Sequence, residues 1–304
     1  MKEEGLYFFE KYAESIARAI RVDELYYQGN TQHQFVQIFR NAFLGKVLFL
    51  DQKIQSAQAD EYIYHESLVH PALFTHPSPR RTLIIGGGEG ATLREVLRHA
   101  CIEKAVMVDI DKQLVELSKQ YLPEWSQGAF ADPRARLIFG DARRFLEESE
   151  EKFDVIVSDL TEPIESGPSV YLFTKEFFAE VFESLSENGV FVLQAGNADP
   201  FYYQFFASCA KTLEKIFPVV RPYWTFILSF GFPWGFVLAA KKDDPLSLSS
   251  RAIEKAVNSR KVRDLRYYHP RSHESFFSLP FYLINGLSKQ GRVLTHDKPY
   301  IWKL

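Results

Sequence analysis

The chain has 304 residues, 46% hydrophobic and 25% charged, with a formal net charge of -3: room for one large core plus a smaller unit, and no basic footprint for nucleic acid. Two cysteines, Cys101 and Cys209, are too few for a disulfide framework and lack the paired spacing of a zinc site. The start, MKEEGLYFFEKY, is acidic and has no secretory pattern, and no apolar run reaches roughly 18 residues, so a cytoplasmic protein with no membrane contact is expected.

Over residues 33–56 short apolar runs (QFVQIFRN, GKVLFLD, KIQSA) alternate with turns at Gly45 and Asp51-Gln52-Lys53, predicting a small antiparallel β unit. At Glu61 the period changes. Tyr62, His65, Glu66 and Val69 fall at helical spacing, and His70-Pro71 then restricts the backbone before a second helical stretch. The expected division is an N-terminal β domain over 1–60 and a larger domain over 61–304. His65-Glu66 with His70 superficially resembles a zinc-hydrolase motif, but the second histidine is one residue too far to share the first one's helix face, so no metal site is expected.

After Pro79, strands and helices alternate: RTLIIGG, ATLREVLRHA, KAVMVDID, KQLVELSKQYL, ARLIFGD, FDVIVSD, KEFFAEVFESLS, GVFVLQA. Continuous apolar strands between helices signal an α/β fold with a parallel sheet covered on both faces. Segments 217–228 and 235–241 would add two strands, and the last forty residues a helical and irregular layer.

The run Gly86-Gly87-Gly88-Glu89-Gly90 lies between the first of these strands and its helix, where bare backbone amides can approach a ligand. Gly86, Gly88 and Ala91 also satisfy a loose dinucleotide fingerprint, which keeps an NAD enzyme in view. Asp109 ends the next strand about twenty residues on, where a carboxylate accepts from both ribose hydroxyls. Asp111 suits a cap for the following helix. Asp141, ending the third strand, could meet an adenine amino group or serve as an N-cap. The fourth strand ends in Asp159-Leu160-Thr161-Glu162-Pro163, two carboxylates three residues apart at the crevice of the sheet. Hydride transfer would call for a His or Tyr/Lys acid–base group there; a carboxylate pair fits a cationic amine better.

Together IIGGGEGATLREVL, EYIYHE, VDID, GDAR and DLTEP resemble the spermidine synthase family of aminopropyltransferases, from about Gln34 to the carboxyl-terminal layer. AVMVDIDKQLVELSKQYLPEWSQGAF and DLTEPIESGPSVYLFTKEFF look closest to thermophile agmatine or triamine aminopropyltransferases and thermospermine synthases. The resemblance implies a methyltransferase-like Rossmann domain carrying the small β domain, assembled as a homodimer or homotetramer. It implies no prosthetic group, with decarboxylated S-adenosylmethionine as co-substrate and a polyamine or agmatine as acceptor.

By the same resemblance, Asp159 takes a proton from the attacking amine or hydrogen-bonds it, and Tyr64 orients that amine. Gln34, Gln55 and His65 line the donor site, Gly86 and Gly88 belong to its loop, and Glu89 meets the donor's terminal ammonium. Asp109 binds the ribose, Asp141 and Ala142 the adenine, and Glu162 the acceptor.

Glu89 argues against a methyltransferase, because S-adenosylmethionine carries a carboxylate where the decarboxylated donor has none. Two like charges about 4 Å apart at an effective dielectric of about 20 cost on the order of 4 kcal/mol, roughly a thousandfold in affinity.

Two departures bear on the acceptor. Glu162 stands where the family usually has Asp, and Ser229-Phe230-Gly231-Phe232-Pro233-Trp234-Gly235 lacks the Tyr-Pro-Ser-Gly pattern of putrescine-using members. Agmatine or a triamine such as spermidine is therefore the expected acceptor, with a putrescine-specific enzyme and a non-catalytic polyamine- or nucleoside-binding protein as the alternatives. Phe230 and Trp234 are candidates for an acceptor channel or for core.

Overall fold

The computed structural model describes residues 5–13, 15–164, 167 and 169–302. A hairpin of β1 (Leu6–Ala13) and β2 (Ile16–Val22) precedes a four-stranded antiparallel sheet of β3 (Glu24–Asn30), β4 (Phe35–Asn41), β5 (Gly45–Leu50) and β6 (Lys53–Ala57). The sequence pattern points to the sheet over 33–56 but not to the strands before residue 31. Leu6, Phe9 and Ile16 are exposed there, so apolar residues occupy both faces and the period-two signal is lost. Asp51 and Gln52, both at positive φ (48° and 64°), make the tight turn between β5 and β6.

Pro71 corrects one expectation: α1 (Glu61–Thr75) is a single helix that passes through it. Proline has no N–H for the carbonyl four residues back, which is that of Ser67. That carbonyl accepts instead from the Tyr223 hydroxyl at 2.8 Å, so the break in the helical ladder is repaired by a tertiary contact.

The larger unit alternates β7 (Arg81–Gly86), α2 (Ala91–Leu97), β8 (Lys104–Asp109), α3 (Lys112–Tyr121), α4 (Pro123–Ser126), β9 (Ala135–Phe139), α5 (Ala142–Glu148) and β10 (Phe153–Asp159). It continues through α6 (Lys175–Ser184), β11 (Leu185–Asn197), α7 (Gln204–Leu213), β12 (Val219–Ile227) and β13 (Phe232–Ala240), and ends in α8 (Ser250–Ser259), α9 (Ser272–Phe276) and α10 (Phe281–Lys289). The seven strands run β12-β13-β11-β10-β7-β8-β9; β13 is antiparallel to both neighbours and the rest pair in parallel. This is the Rossmann-like α/β fold expected from the sequence, with the N-terminal antiparallel sheets attached.

Both faces of the large sheet are buried. Leu83, Ile85, Val108 and Ile156 pack on one side, and Ile84, Met107, Val155 and Val157 on the other, so the strands read as unbroken apolar runs. Chain order proceeds outward from β7 to β8 and β9, then jumps back to β10 on its other side. That reversal opens a crevice beyond the carboxyl ends of β7 and β10, where Gly86 pairs with Asp159. Among the described residues no helix is long and apolar enough to cross a membrane.

Candidate active site

The glycine loop makes room for the crevice. Gly86 has φ +81°, and a Cβ there would lie 2.3 Å from the Asp159 carbonyl oxygen; Gly90, at φ +85°, would collide with Phe130 at 2.4 Å. Gly87 N–H donates to that same Asp159 carbonyl at 3.0 Å, which ties the loop after β7 to the end of β10.

The Asp159 carboxylate is held from two sides. The Tyr64 hydroxyl donates to Oδ1 and the Thr92 hydroxyl to Oδ2, both at 2.6 Å. Burial raises its pKa to about 6, Glu89 adding to the rise while His65 and the two hydroxyls oppose it. A carboxyl poised there accepts a proton more readily than an ordinary aspartate.

Behind Tyr64 runs a buried ionic chain. His65 Nε2 bonds Glu89 Oε1 at 2.8 Å and Nδ1 bonds Glu61 Oε2 at 2.8 Å. Arg94 Nη2 donates to that Glu61 oxygen at 2.8 Å and Nε to Glu95 at 2.7 Å. Burial opposes protonation of His65, but the two flanking carboxylates outweigh it and hold the ring cationic, with a pKa of about 10. His65, Glu89 and Asp159 offer ligand atoms within 4.8 Å of one another. Both imidazole nitrogens are nevertheless engaged by carboxylates, so the ring has no lone pair to give a metal.

Further along the crevice, Asp109 is buried, and burial raises its pKa to about 7 against the Asp111 N–H that donates to it at 2.8 Å. Asp111 caps α3 through Leu114 N–H and also receives Gln34 Nε2 at 2.9 Å and the Thr31 hydroxyl at 2.6 Å, pinning the N-terminal sheet to the Rossmann unit. Asp141 caps α5, both capping bonds falling on Oδ1, with Ala142 buried beside it.

These elements border a cleft of about 1040 Å³, its open mouth included. Gln34, Gln55, Tyr64, Gly86, Gly88, Glu89, Asp109, Asp141, Ala142, Asp159 and Glu162 all line it. Six of the lining residues are carboxylates and, among the described residues, none is Lys or Arg, which makes the cleft a receptor for cations. His65 is the exception among the expected residues: it is 1% exposed and sits behind Glu89 rather than in the wall, because both ring nitrogens are turned to carboxylates.

Beyond Ile54, Glu162, Phe230 and Trp234 lies a second chamber, about 550 Å³ with its open mouth included, walled also by Glu10, Tyr12 and Lys53. Phe230 belongs to the core and lines both spaces; its ring stands 4.7 Å from Trp234 and 5.8 Å from Tyr64. Inside this region Trp234 Nε1 and Asn197 Oδ1 are buried without a hydrogen-bond partner. Burial raises the Glu162 pKa, partly offset by Lys53.

Sequence reasoning passes over Thr92, Glu61, Arg94 and Gln194. Glu61 stands four residues before His65, a helical contact readable in EYIYH. Thr92, on α2, and Gln194, on β11, whose Nε2 donates to the Leu160 carbonyl, carry no such local sign, since their partners are brought to them by tertiary packing.

Profile comparison matches a spermine/spermidine synthase domain over residues 61–249 and a spermidine synthase tetramerisation domain over residues 6–58. A polyamine aminopropyltransferase 2 of Hyperthermus butylicus is 43% identical over 278 residues, 91% of either chain. A polyamine aminopropyltransferase of Aeropyrum pernix is 37% identical, over 96% of this chain and 93% of its own. Among solved structures, a spermidine synthase in complex with the transition-state analogue AdoDATO superposes with a TM-score of 0.88 at 33% identity, over 94% of this chain and 96% of that one. The spermidine synthase of Thermotoga maritima gives a TM-score of 0.86 at 33% identity, over 94% and 95%.

Proposed function

Because this chain belongs to the spermine/spermidine synthase family, and is an aminopropyltransferase, we propose that it moves the aminopropyl group of decarboxylated S-adenosylmethionine onto agmatine or a triamine such as spermidine. The observation that carries the acceptor reading is the second chamber beyond Glu162, which continues the cleft past the reacting end and shares Ile54, Glu162, Phe230 and Trp234 with it.

The donor's adenosine lies along Asp109, Asp141 and Ala142, with Gln34 and Gln55 beside it and its terminal ammonium at Glu89. An alkylamine with a pKa of about 10.4 is almost wholly protonated at neutral pH and has no lone pair. Asp159 takes that proton, and the Tyr64 hydroxyl orients the nitrogen. The nitrogen then attacks in line the carbon beside the sulfonium; the C–N bond forms as the C–S bond breaks, and neutral 5'-methylthioadenosine leaves. Holding the two centres together supplies most of the acceleration. The positive charge passes from the sulfonium to the attacking nitrogen as the bonds exchange, so the carboxylates face a cation throughout and serve chiefly to bind and orient the two reactants.

The exposed Leu6, Phe9 and Ile16 of the N-terminal hairpin support a homodimer or homotetramer built through that region. Two free cysteines suit the reducing cytoplasm.

The acceptor reading is tested by supplying decarboxylated donor with putrescine, agmatine, spermidine or norspermidine and identifying the alkylated product by mass. Agmatine or a triamine preferred at least about tenfold over putrescine in kcat/KM supports it; putrescine preferred by that margin overturns it.

A further inference from the structure

We propose that Glu61 and Arg94, which lie behind the wall of the cleft, are positioning residues that set donor discrimination by bracing Glu89 through His65. The proposal rests on the reading that Glu89 meets the donor's ammonium and rejects a carboxylate there.

Repulsion selects only if the repelling group cannot move. A glutamate has three rotatable side-chain bonds, and an unrestrained one would swing away from an incoming carboxylate at little cost. In this protein Glu89 Oε1 is fastened to a ring that is itself fastened from behind: His65 Nδ1 lies 2.8 Å from Glu61 Oε2 and 2.7 Å from the Glu61 carbonyl. Glu61 is fixed by Arg94, whose Nη1 donates to the Trp125 carbonyl at 2.6 Å and whose Nε meets Glu95. Glu95, fully buried, is anchored in turn by His70 at 3.0 Å and by Arg98.

Charge alternates along this chain from Glu89 inward to Glu95, so that its cleft-facing end is anionic and its cations stay behind the wall. The groups facing His65 are Glu61 on α1, Glu89 in the loop after β7 and, by its charge, Asp159 on β10, with the Tyr64 ring 5.0 Å away. Burying so many charges is a poor way to gain stability, since well-packed apolar residues commonly do as well. The chain leads to one cleft residue, and holding that residue still accounts for it.

Glu61→Gln keeps the shape and removes the charge. Its amide can still hydrogen-bond Nδ1, but the ring then has one carboxylate in place of two to hold its second proton, which weakens its bond to Glu89. Dissociation constants for decarboxylated S-adenosylmethionine and for S-adenosylmethionine are measured by calorimetry on native protein, Glu61→Gln and Arg94→Met. The ratio of the two constants is expected to fall about tenfold or more in both variants, and Arg94→Lys to keep most of it. Loss of stability alone would not move that ratio. Folded variants with the native ratio overturn the brace while leaving the reading of Glu89 intact; a native protein that binds both donors equally sinks both. Should the variants not fold, nitrogen NMR of the native His65 ring at pH 8 decides: a doubly protonated ring supports the brace, and a neutral one overturns it.

Discussion

Tyr64 and Asp159, ninety-five residues apart, meet at the mouth of the sheet with the phenolic hydroxyl 2.6 Å from carboxylate Oδ1. One comes from the helix that links the two β units and the other from the strand at the switch point, so their distance depends on how α1 is seated. The Tyr223 contact to the Ser67 carbonyl is part of that seating.

Replacing Tyr64 by Phe removes one of two hydroxyls from a carboxylate that burial already raises. We expect kcat to fall about 10- to 100-fold with a smaller change in donor affinity, and the acid limb of the pH profile to move upward. Steady-state kinetics across pH 5 to 9 test this.

Asp159→Asn should abolish proton acceptance while leaving the donor's binding groups in place. A loss of about 10²- to 10⁴-fold in kcat, with donor affinity within a few-fold of native, is the expected pattern. In the native protein, kcat/KM should rise with pH through about 6, because the raised pKa of Asp159 puts its ionisation there.

Asp109 gives a test by proton counting. With a pKa of about 7 in the unliganded protein, it is largely protonated at pH 6. Ribose hydroxyls donating to the carboxylate favour its ionised form, so donor binding at pH 6 should release protons, and less so at pH 8. Calorimetry in buffers of different ionisation enthalpy measures this directly.

His65 predicts an alkaline loss of stability. Folding raises the ring from 6.5 to about 10, so its contribution is complete below pH 6.5 and disappears as pH climbs through 10. Denaturant unfolding between pH 7 and 10 should show stability falling, and His65→Gln should flatten that fall.

How much of this was legible in the chain differs by region. The parallel core announced itself because strands buried on both faces, such as RTLIIG and FDVIVSD, are unbroken apolar runs. The glycine loop and the carboxylates at strand ends followed from strand order. The first three strands stayed hidden, since exposed Leu6, Phe9, Ile16 and Leu25 erase their alternation. Pro71 misled because its cost is met by Tyr223, 152 positions away, which no local pattern can show. Thr92, which fixes Asp159, and the placing of His65 behind Glu89 are likewise products of how α1 and α2 pack.

The most direct test of the central claim is the release of 5'-methylthioadenosine from decarboxylated S-adenosylmethionine by the purified protein, with and without agmatine or spermidine. The account predicts release that requires the amine and equals the alkylated product mole for mole. Donor that binds yet yields no methylthioadenosine with any amine would contradict it and leave a binding protein.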